Sequence, residues 1–287
     1  MFKEGDFIKL GIIDVGGGLR GIYAAGVLDY CLDKNIKFDI GIGVSAGSAN
    51  IASFAANQRG RNYTFYTKYI HRKDYMSLRN FIKKKSYIDL DYVYSTLSDS
   101  NGENPLNYKY LIKNPMDVFI VATEANNAKA IYFNKNDMKQ DDYTILKASS
   151  AIPLVCNPYY INDKTYFDGG ISDPIPFQKA FELGCDKLVV ILTKPKNYIR
   201  NPRQDIRIAR LISKTYPNTA KKLAKRAYLY NKQLSILKKL EEENKIIIIS
   251  PNDTAGVKTL TKNTNSLKTL YLKGYNDGKK VNNFLNM

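Results

Sequence analysis

A five-residue turn, Gly-Val-Ser-Ala-Gly at residues 43–47, constrains the fold of this chain more than any other stretch. An apolar run at 36–44 that predicts a strand leads into it, and small residues at 46–56 that suit a helix follow it. The flanking glycines remove the Cβ clashes of a sharp strand-to-helix turn, and the helix N-terminus directs its positive dipole towards the oxyanion that would form there. The turn predicts Ser45 as a nucleophile for carbonyl carbon, with Ala46 as a supporting residue. The alternative is a packing turn without chemistry, because the bare pattern arises by chance in about one chain in ten of this length.

The proton acceptor for Ser45 is restricted by the histidine content of the chain. The only histidine is His71, and residues 46–70 contain neither Asp nor Glu, so the order serine, acid, histidine of an α/β-hydrolase triad cannot occur. His71 also stands beside Arg72 and Lys73, which is a poor setting for a general base. The sequence therefore predicts a carboxylate that acts directly on the serine.

Asp168 is the best candidate for this carboxylate. It follows an apolar and aromatic segment, 159–167, that predicts a hairpin around Asn162 and Asp163, and two glycines follow it. Burial at the edge of a strand would keep the carboxylate basic by desolvation. The alternative is an ordinary Asp-Gly turn.

Three consecutive glycines, Gly16, Gly17 and Gly18, follow a predicted strand at 8–15 and precede a helix. Their backbone N–H groups are unobstructed by side chains, which predicts a cradle for the oxyanion of a tetrahedral intermediate. Arg20 belongs to the same loop.

The same loop also fits a different function. The spacing of Gly16, Gly18 and Gly21 matches the dinucleotide fingerprint, although Asp39 begins the next strand instead of ending it. A P-loop is excluded because no Gly-Lys-Ser/Thr follows. A non-catalytic dinucleotide- or anion-binding α/β module is therefore the alternative to a hydrolase, and it leaves Ser45 and Asp168 unexplained.

Strand and helix signals alternate along the chain, which predicts an α/β fold with a largely parallel sheet. Strands are predicted at 8–15, 36–44, 118–122, 130–133, 187–192 and 245–249, beside the hairpin. Helices are predicted at 22–31, 46–56 and 204–243 with a break at Pro217, and 58–115 forms helices and loops that cover the sheet. We expect a single domain over 1–287, with a core at about 8–192 and a basic helical extension at 196–287 that includes the late strand.

The net charge of +17 predicts anionic partners. The basic segment, residues 194–239, holds fourteen Lys and Arg against one acid, Asp205, and predicts either a solvated helical face or a surface that contacts anionic membranes or phosphate. Aromatic and basic residues follow no nucleic-acid recognition signature, so no nucleic-acid partner is expected.

Three cysteines, Cys31, Cys156 and Cys185, are odd in number and lack metal-ligand spacing, so reduced, mostly buried thiols in a cytoplasmic protein are expected, without metal or cofactor. Residues 1–6 carry acids and show no cleavage site, which argues against a signal peptide. The longest aliphatic run, 246–249, is too short to span a bilayer, which leaves peripheral membrane contact as the expectation.

Four blocks together make the chain resemble the patatin-like phospholipases, bacterial lipid acyl hydrolases related to plant patatin. The blocks are Gly-Gly-Gly-Leu-Arg-Gly at 16–21, Gly-Val-Ser-Ala-Gly-Ser at 43–48, Ala-Ser-Ser-Ala-Ile-Pro at 148–153 and Asp-Gly-Gly at 168–170. They occur in the family's order, and the resemblance covers about residues 8–192.

The resemblance implies a three-layer α/β/α fold and calcium-independent cleavage of phospholipid or other lipid acyl esters, of phospholipase A or lysophospholipase type. It implies a Ser–Asp dyad in which Ser45 is the nucleophile and Asp168 the base. It also implies that Gly16, Gly17 and Gly18 supply the oxyanion-hole amides.

Overall fold

The computed structural model describes residues 8–285, and within them eight strands form one sheet. The strands are β1 (Leu10–Asp14), β2 (Ile40–Val44), β3 (Asp117–Glu124), β4 (Ala130–Asn134), β5 (Tyr159–Ile161), β6 (Lys164–Asp168), β7 (Lys187–Ile191) and β8 (Ile246–Ile249). Their order is β5-β6-β3-β2-β1-β7-β8, with β4 paired to β3. Strands β3, β2, β1, β7 and β8 run parallel, and β4, β5 and β6 pair antiparallel. The predicted α/β class with a largely parallel sheet is confirmed.

Helices cover both faces of the sheet. They are α1 (Ile22–Asp33), α2 (Ala46–Ala55), α3 (Arg61–Thr67), α4 (Leu78–Lys84), α5 (Tyr108–Lys113), α6 (Thr144–Ser150), α7 (Phe177–Glu182), α8 (Arg203–Ile212), α9 (Pro217–Glu242), α10 (Thr264–Asp277) and α11 (Lys279–Leu285). Alternate residues of a strand enter opposite cores: Ile12 packs in the cluster that contains α1, α2 and α10, and Ile13 packs with α7 and α9. The result is a helix–sheet–helix sandwich.

The second strand is shorter than predicted. Residues 36–39 precede β2 as a loop, and the Asp39 side chain accepts a hydrogen bond from the Leu10 N–H at 2.7 Å at the end of the β1–β2 ladder. The predicted hairpin is confirmed: Asn162 and Asp163 adopt φ values of 47° and 61° between β5 and β6.

The predicted helical segment 204–243 is confirmed as α8 and α9, and the break falls before Pro217, which occupies the first turn of α9. The late strand β8 pairs with β7 and so joins the central sheet. The three cysteines are free and buried. Across 8–285, no helix combines the length and the apolar character that crossing a membrane requires. The expectation about a signal peptide concerns residues 1–6, which lie outside the described residues.

Candidate active site

The glycine loop and the serine turn are brought together by the pairing of β1 with β2. Asp14 lies opposite Gly43 in this parallel pair, so the loops that leave the two strands start side by side. A Cβ on Gly16 would lie 2.2 Å from the Val44 carbonyl oxygen, and a Cβ on Gly47 would lie 2.3 Å from the Asp14 carbonyl oxygen. Both contacts are too short for any side chain, so each motif needs glycine where it faces the other.

Ser45 lies in the turn between β2 and α2 with φ 57° and ψ −131°, a strained conformation for a residue other than glycine. Its N–H donates to Ser149 Oγ at 3.0 Å, and Ser149 Oγ donates to the Val121 carbonyl oxygen at 2.6 Å. Ser48 Oγ lies 2.7 Å from Ser149 Oγ. Ser149, at the end of α6, therefore holds the strained turn against β3. The sequence drew attention to its block, 148–153, but gave no role for this side chain.

Asp168 ends β6, is 5% exposed, and accepts a hydrogen bond from the Gly170 N–H at 2.8 Å. Burial raises the pKa of its carboxyl group, and hydrogen bonding with the Ser45 side chain is foremost among the interactions that oppose this. The structure thus places the two predicted catalytic side chains next to each other, with a carboxylate that is more basic than usual.

Two arginines of the basic segment also act on Asp168. The charges of Arg226 and Arg200 lower the Asp168 pKa, against the effect of burial. Both arginines bind the buried carboxylate of Asp205, Arg200 from Nε at 2.9 Å and Arg226 from Nε at 3.1 Å. These two cations thus face the molecule's interior, and Asp205, the one acid in the basic segment, was the sequence signal that could have identified them.

The glycine loop is braced by the C-terminal part of the chain. Arg20 Nη1 donates to Thr259 Oγ1 at 3.0 Å, and the Leu19 N–H donates to the Thr259 carbonyl oxygen at 3.0 Å. Among residues 8–285 we find no hydrogen-bond acceptor for the N–H groups of Gly17 and Gly18. Within the described residues, these two amides thus differ from the Gly16 N–H, which donates to Asp14.

The side chain of Asp14 holds the glycine loop in position through hydrogen bonds. The fully buried carboxylate accepts hydrogen bonds from the Gly16 N–H at 2.9 Å and from Asn50 Nδ2 at 2.8 Å. Asn50 Nδ2 also donates to the Gly21 carbonyl oxygen at 3.0 Å. Burial raises the pKa of Asp14 to about 7, although both hydrogen bonds lower it. The Gly16 N–H is thereby already engaged, in contrast to those of Gly17 and Gly18.

We expect Asp14 to make stability depend on pH. Because its folded pKa is above the ordinary value of 3.8 for an aspartate, the folded state keeps a proton that the unfolded chain releases. The free energy of unfolding should therefore fall as pH rises from about 4 to about 7, by up to about 4 kcal/mol from this group. Denaturant unfolding at several pH values should show a shallower fall for Asp14→Asn than for the wild type. An identical pH dependence in the two proteins would contradict a protonated Asp14.

A cavity of about 70 Å³ opens beside Ser45. Its lining is mainly apolar and aromatic and includes Leu19, Phe65, Ile88, Leu90, Val93 and Ile152. Arg61 also lines it; it is 8% exposed, and its guanidinium donates to Ser53 and Ser98. Burial lowers the pKa of Arg61 to about 10. A larger, open depression of about 720 Å³, lined by lysines of α9, contains none of the predicted site residues.

The remaining candidate side chains lie elsewhere. His71 is exposed, and its Nε2 lies 2.8 Å from Thr264 Oγ1, so it is not part of the Ser45 cavity. Asp39, the acid weighed for a dinucleotide site, is engaged by the Leu10 N–H. Within 8–285, no cluster of three or more His, Cys, Asp and Glu side chains could hold a metal ion.

Comparison with known proteins places two family matches on the chain. Residues 15–181 match the model described as patatin-like phospholipase, and residues 216–285 match a domain of unknown function, DUF6363.

The uncharacterised protein YjjU of Escherichia coli (strain K12) is 29% identical over 197 residues, which cover 68% of this chain and 55% of that protein. An uncharacterised NTE family protein of Mycobacterium tuberculosis is 23% identical over 176 residues, which cover 61% of this chain and 46% of that protein. The chain thus spans about half the length of the curated relatives it matches. Among solved structures, VipD from Legionella pneumophila matches with a TM-score of 0.49 at 14% identity, over 96% of this chain and 66% of that one.

Proposed function

Because the chain belongs to the patatin-like phospholipase family, we propose that it hydrolyses acyl esters of lipids with Ser45 as the nucleophile and Asp168 as the general base. The observation that carries the proposal is the juxtaposition of these two side chains. Ser45 projects from a turn at φ 57°, and hydrogen bonding with it lowers the pKa of the buried Asp168 carboxyl group. No histidine is needed to relay the proton.

In the proposed acylation step, Asp168 removes the proton from Ser45 Oγ as that oxygen attacks the ester carbonyl carbon. The oxyanion forms beside the N–H groups of Gly17 and Gly18 and near the N-terminus of α2, which begins at Ala46. Gly16 contributes differently: its N–H donates to Asp14 and so fixes the loop. Arg20 supports the same loop through Thr259.

Collapse of the intermediate expels the alcohol, protonated by Asp168, and leaves an acyl ester on Ser45. Asp168 then accepts a proton from water as the water attacks this ester, and returns it to Ser45 Oγ as the acid product is released. The raised pKa of Asp168 suits both roles, since a buried carboxylate is a stronger base than an exposed one.

The apolar lining of the Ser45 cavity supports an acyl chain as the group bound there. We propose phospholipid, lysophospholipid or another lipid acyl ester as substrate, and a cytoplasmic setting with peripheral contact to anionic membranes.

A hydrolysis panel tests this function. The chain should release fatty acid from at least one of four classes, namely phospholipids, lysophospholipids, neutral glycerides and p-nitrophenyl esters, and the fastest class identifies the substrate. Saturable binding of NAD, with no hydrolysis in any class, would favour the dinucleotide-binding alternative instead.

A further inference from the structure

Helix α4 exposes its apolar side chains and buries a polar one. Leu78, Phe81 and Ile82 are 72%, 45% and 73% exposed. Asn80 is buried, and its Nδ2 donates to the Asp74 carbonyl oxygen at 3.0 Å. A surface helix of a globular domain normally turns its apolar face to the core, so this helix is inverted.

Polar contacts hold α4 in this orientation. Ser77 Oγ caps its first turn by accepting from the Asn80 N–H at 3.2 Å, and Lys85 ends it at φ 54°. Asn157 Nδ2 donates to the Lys84 carbonyl oxygen at 2.7 Å. The inverted helix is therefore a built feature that presents three large apolar side chains to the outside.

Cations surround the exposed apolar side chains. Arg79, Lys83, Lys84 and Lys85 are all exposed, and of these Lys84 pairs with Asp89. For the other three, no ion pair occurs within the described part of the chain. A short helix that presents apolar and basic side chains together suits the boundary between anionic head groups and acyl chains.

The helix also lies next to the candidate active site. Tyr75 and Ile88, which line the Ser45 cavity, flank α4, and Met76 forms a β-bridge with Ile88. The Tyr87 N–H donates to the Val155 carbonyl oxygen at 2.6 Å. The residue before Val155, Leu154, is another exposed apolar side chain.

We propose that α4 and Leu154 form a docking surface for an anionic phospholipid bilayer, which presents lipid esters to the Ser45 cavity. The inference rests on the proposed function, because it takes the substrate to be a lipid ester and adds that this lipid lies in a bilayer. The cations favour a lipid surface over a second copy of this chain, since two α4 helices related by a twofold axis would bring like charges together. Within the basic segment, Arg200 and Arg226 are turned inward to Asp205 and are not part of such a surface.

Sedimentation of the full chain with vesicles of equal parts phosphatidylcholine and phosphatidylglycerol tests the surface. The triple variant Leu78→Ser, Phe81→Ser, Ile82→Ser should bind these vesicles about 100-fold more weakly or worse. The double variant Lys83→Glu, Lys85→Glu should lose about 30-fold or more, and most of the salt dependence of binding. Both variants should hydrolyse a soluble short-chain p-nitrophenyl ester at the wild-type rate, which also shows that they fold.

A matched variant tests whether the docking surface lies at α4. Ile199, Leu211 and Tyr228 are 77%, 71% and 73% exposed, comparable to the apolar residues of α4, but they lie in the basic segment. Replacing these three by serine should leave vesicle binding unchanged. The proposal is overturned if this control loses binding, or if the α4 triple variant binds as well as the wild type. Light scattering that shows a dimer for the wild type and a monomer for the α4 variant would assign α4 to self-association instead.

Ser45→Ala separates docking from catalysis, because it should bind vesicles like the wild type while hydrolysing no ester. If the wild type hydrolyses nothing but still needs α4 to bind vesicles, the docking surface stands and the proposed function fails.

Discussion

Ser45→Ala should reduce kcat by at least about 10⁴-fold on every ester that the wild-type chain hydrolyses. It should also abolish covalent labelling by an active-site fluorophosphonate. The substitution removes only Oγ, since the hydrogen bond to Ser149 is made by the backbone N–H of Ser45. A φ of 57° is as unfavourable for alanine as for serine, so the folded turn should persist.

Three measurements make this result decisive. Initial rates give kcat, gel fluorescence gives labelling, and thermal unfolding shows whether the variant folds. Ser235→Ala, on the exposed side of α9, should keep both activity and labelling. Undiminished hydrolysis by Ser45→Ala would place the nucleophile elsewhere and leave the turn as a packing feature.

Most of the elements that position Ser45 could be predicted from the sequence, because local patterns encode them. Aliphatic runs bounded by glycine or polar residues gave strands such as β7 and β8 to within one or two residues. Pro217 gave the break between α8 and α9, because proline fits the first turn of a helix but not its interior. The start of β2 was predicted too early, because Ile36 and Phe38 continue the apolar pattern into the loop that precedes the strand.

Contacts between distant segments could not be predicted in this way. Ser149 supports Ser45 from 104 positions away, and Thr259 braces Arg20 from 239 positions away. Such pairs depend on strand order and helix placement, which one sequence does not specify. The outward orientation of the apolar side chains of α4 was also not predicted. Segment 58–115 was expected to cover the sheet, so its apolar residues were expected to face inward.

The buried carboxylates show how the candidate site is maintained at a cost in stability. Asp14 and Asp168 both lie among the carboxyl ends of the strands, and burial raises the pKa of both. Each accepts a hydrogen bond from a glycine N–H two residues later. Only Asp168 interacts with Ser45, so removing its charge should affect catalysis and stability in opposite directions.

Asp168→Asn should lower kcat by about 10³- to 10⁴-fold, because the amide cannot accept the Ser45 proton. In the wild type, kcat/KM should rise with pH as Asp168 loses its proton, with a midpoint above the ordinary value of 3.8 for an aspartate. The residual activity of the variant should lack this rise. Initial rates on a p-nitrophenyl ester over a range of pH values measure both effects.

Although Asp168→Asn should lower kcat, it should raise the free energy of unfolding at neutral pH. Because burial raises the folded pKa, the folded wild type is destabilised as pH rises from 3.8 through that pKa, whereas asparagine stays neutral. The variant should therefore be more stable than the wild type at neutral pH and similar to it below pH 3.8. Asp173→Asn is the matched control: burial also raises the Asp173 pKa, but its partners are Tyr132 and Gln233, so activity should be retained. If His71→Ala abolished turnover while Asp168→Asn did not, the base would be the histidine, and the Ser45–Asp168 pair would be structural.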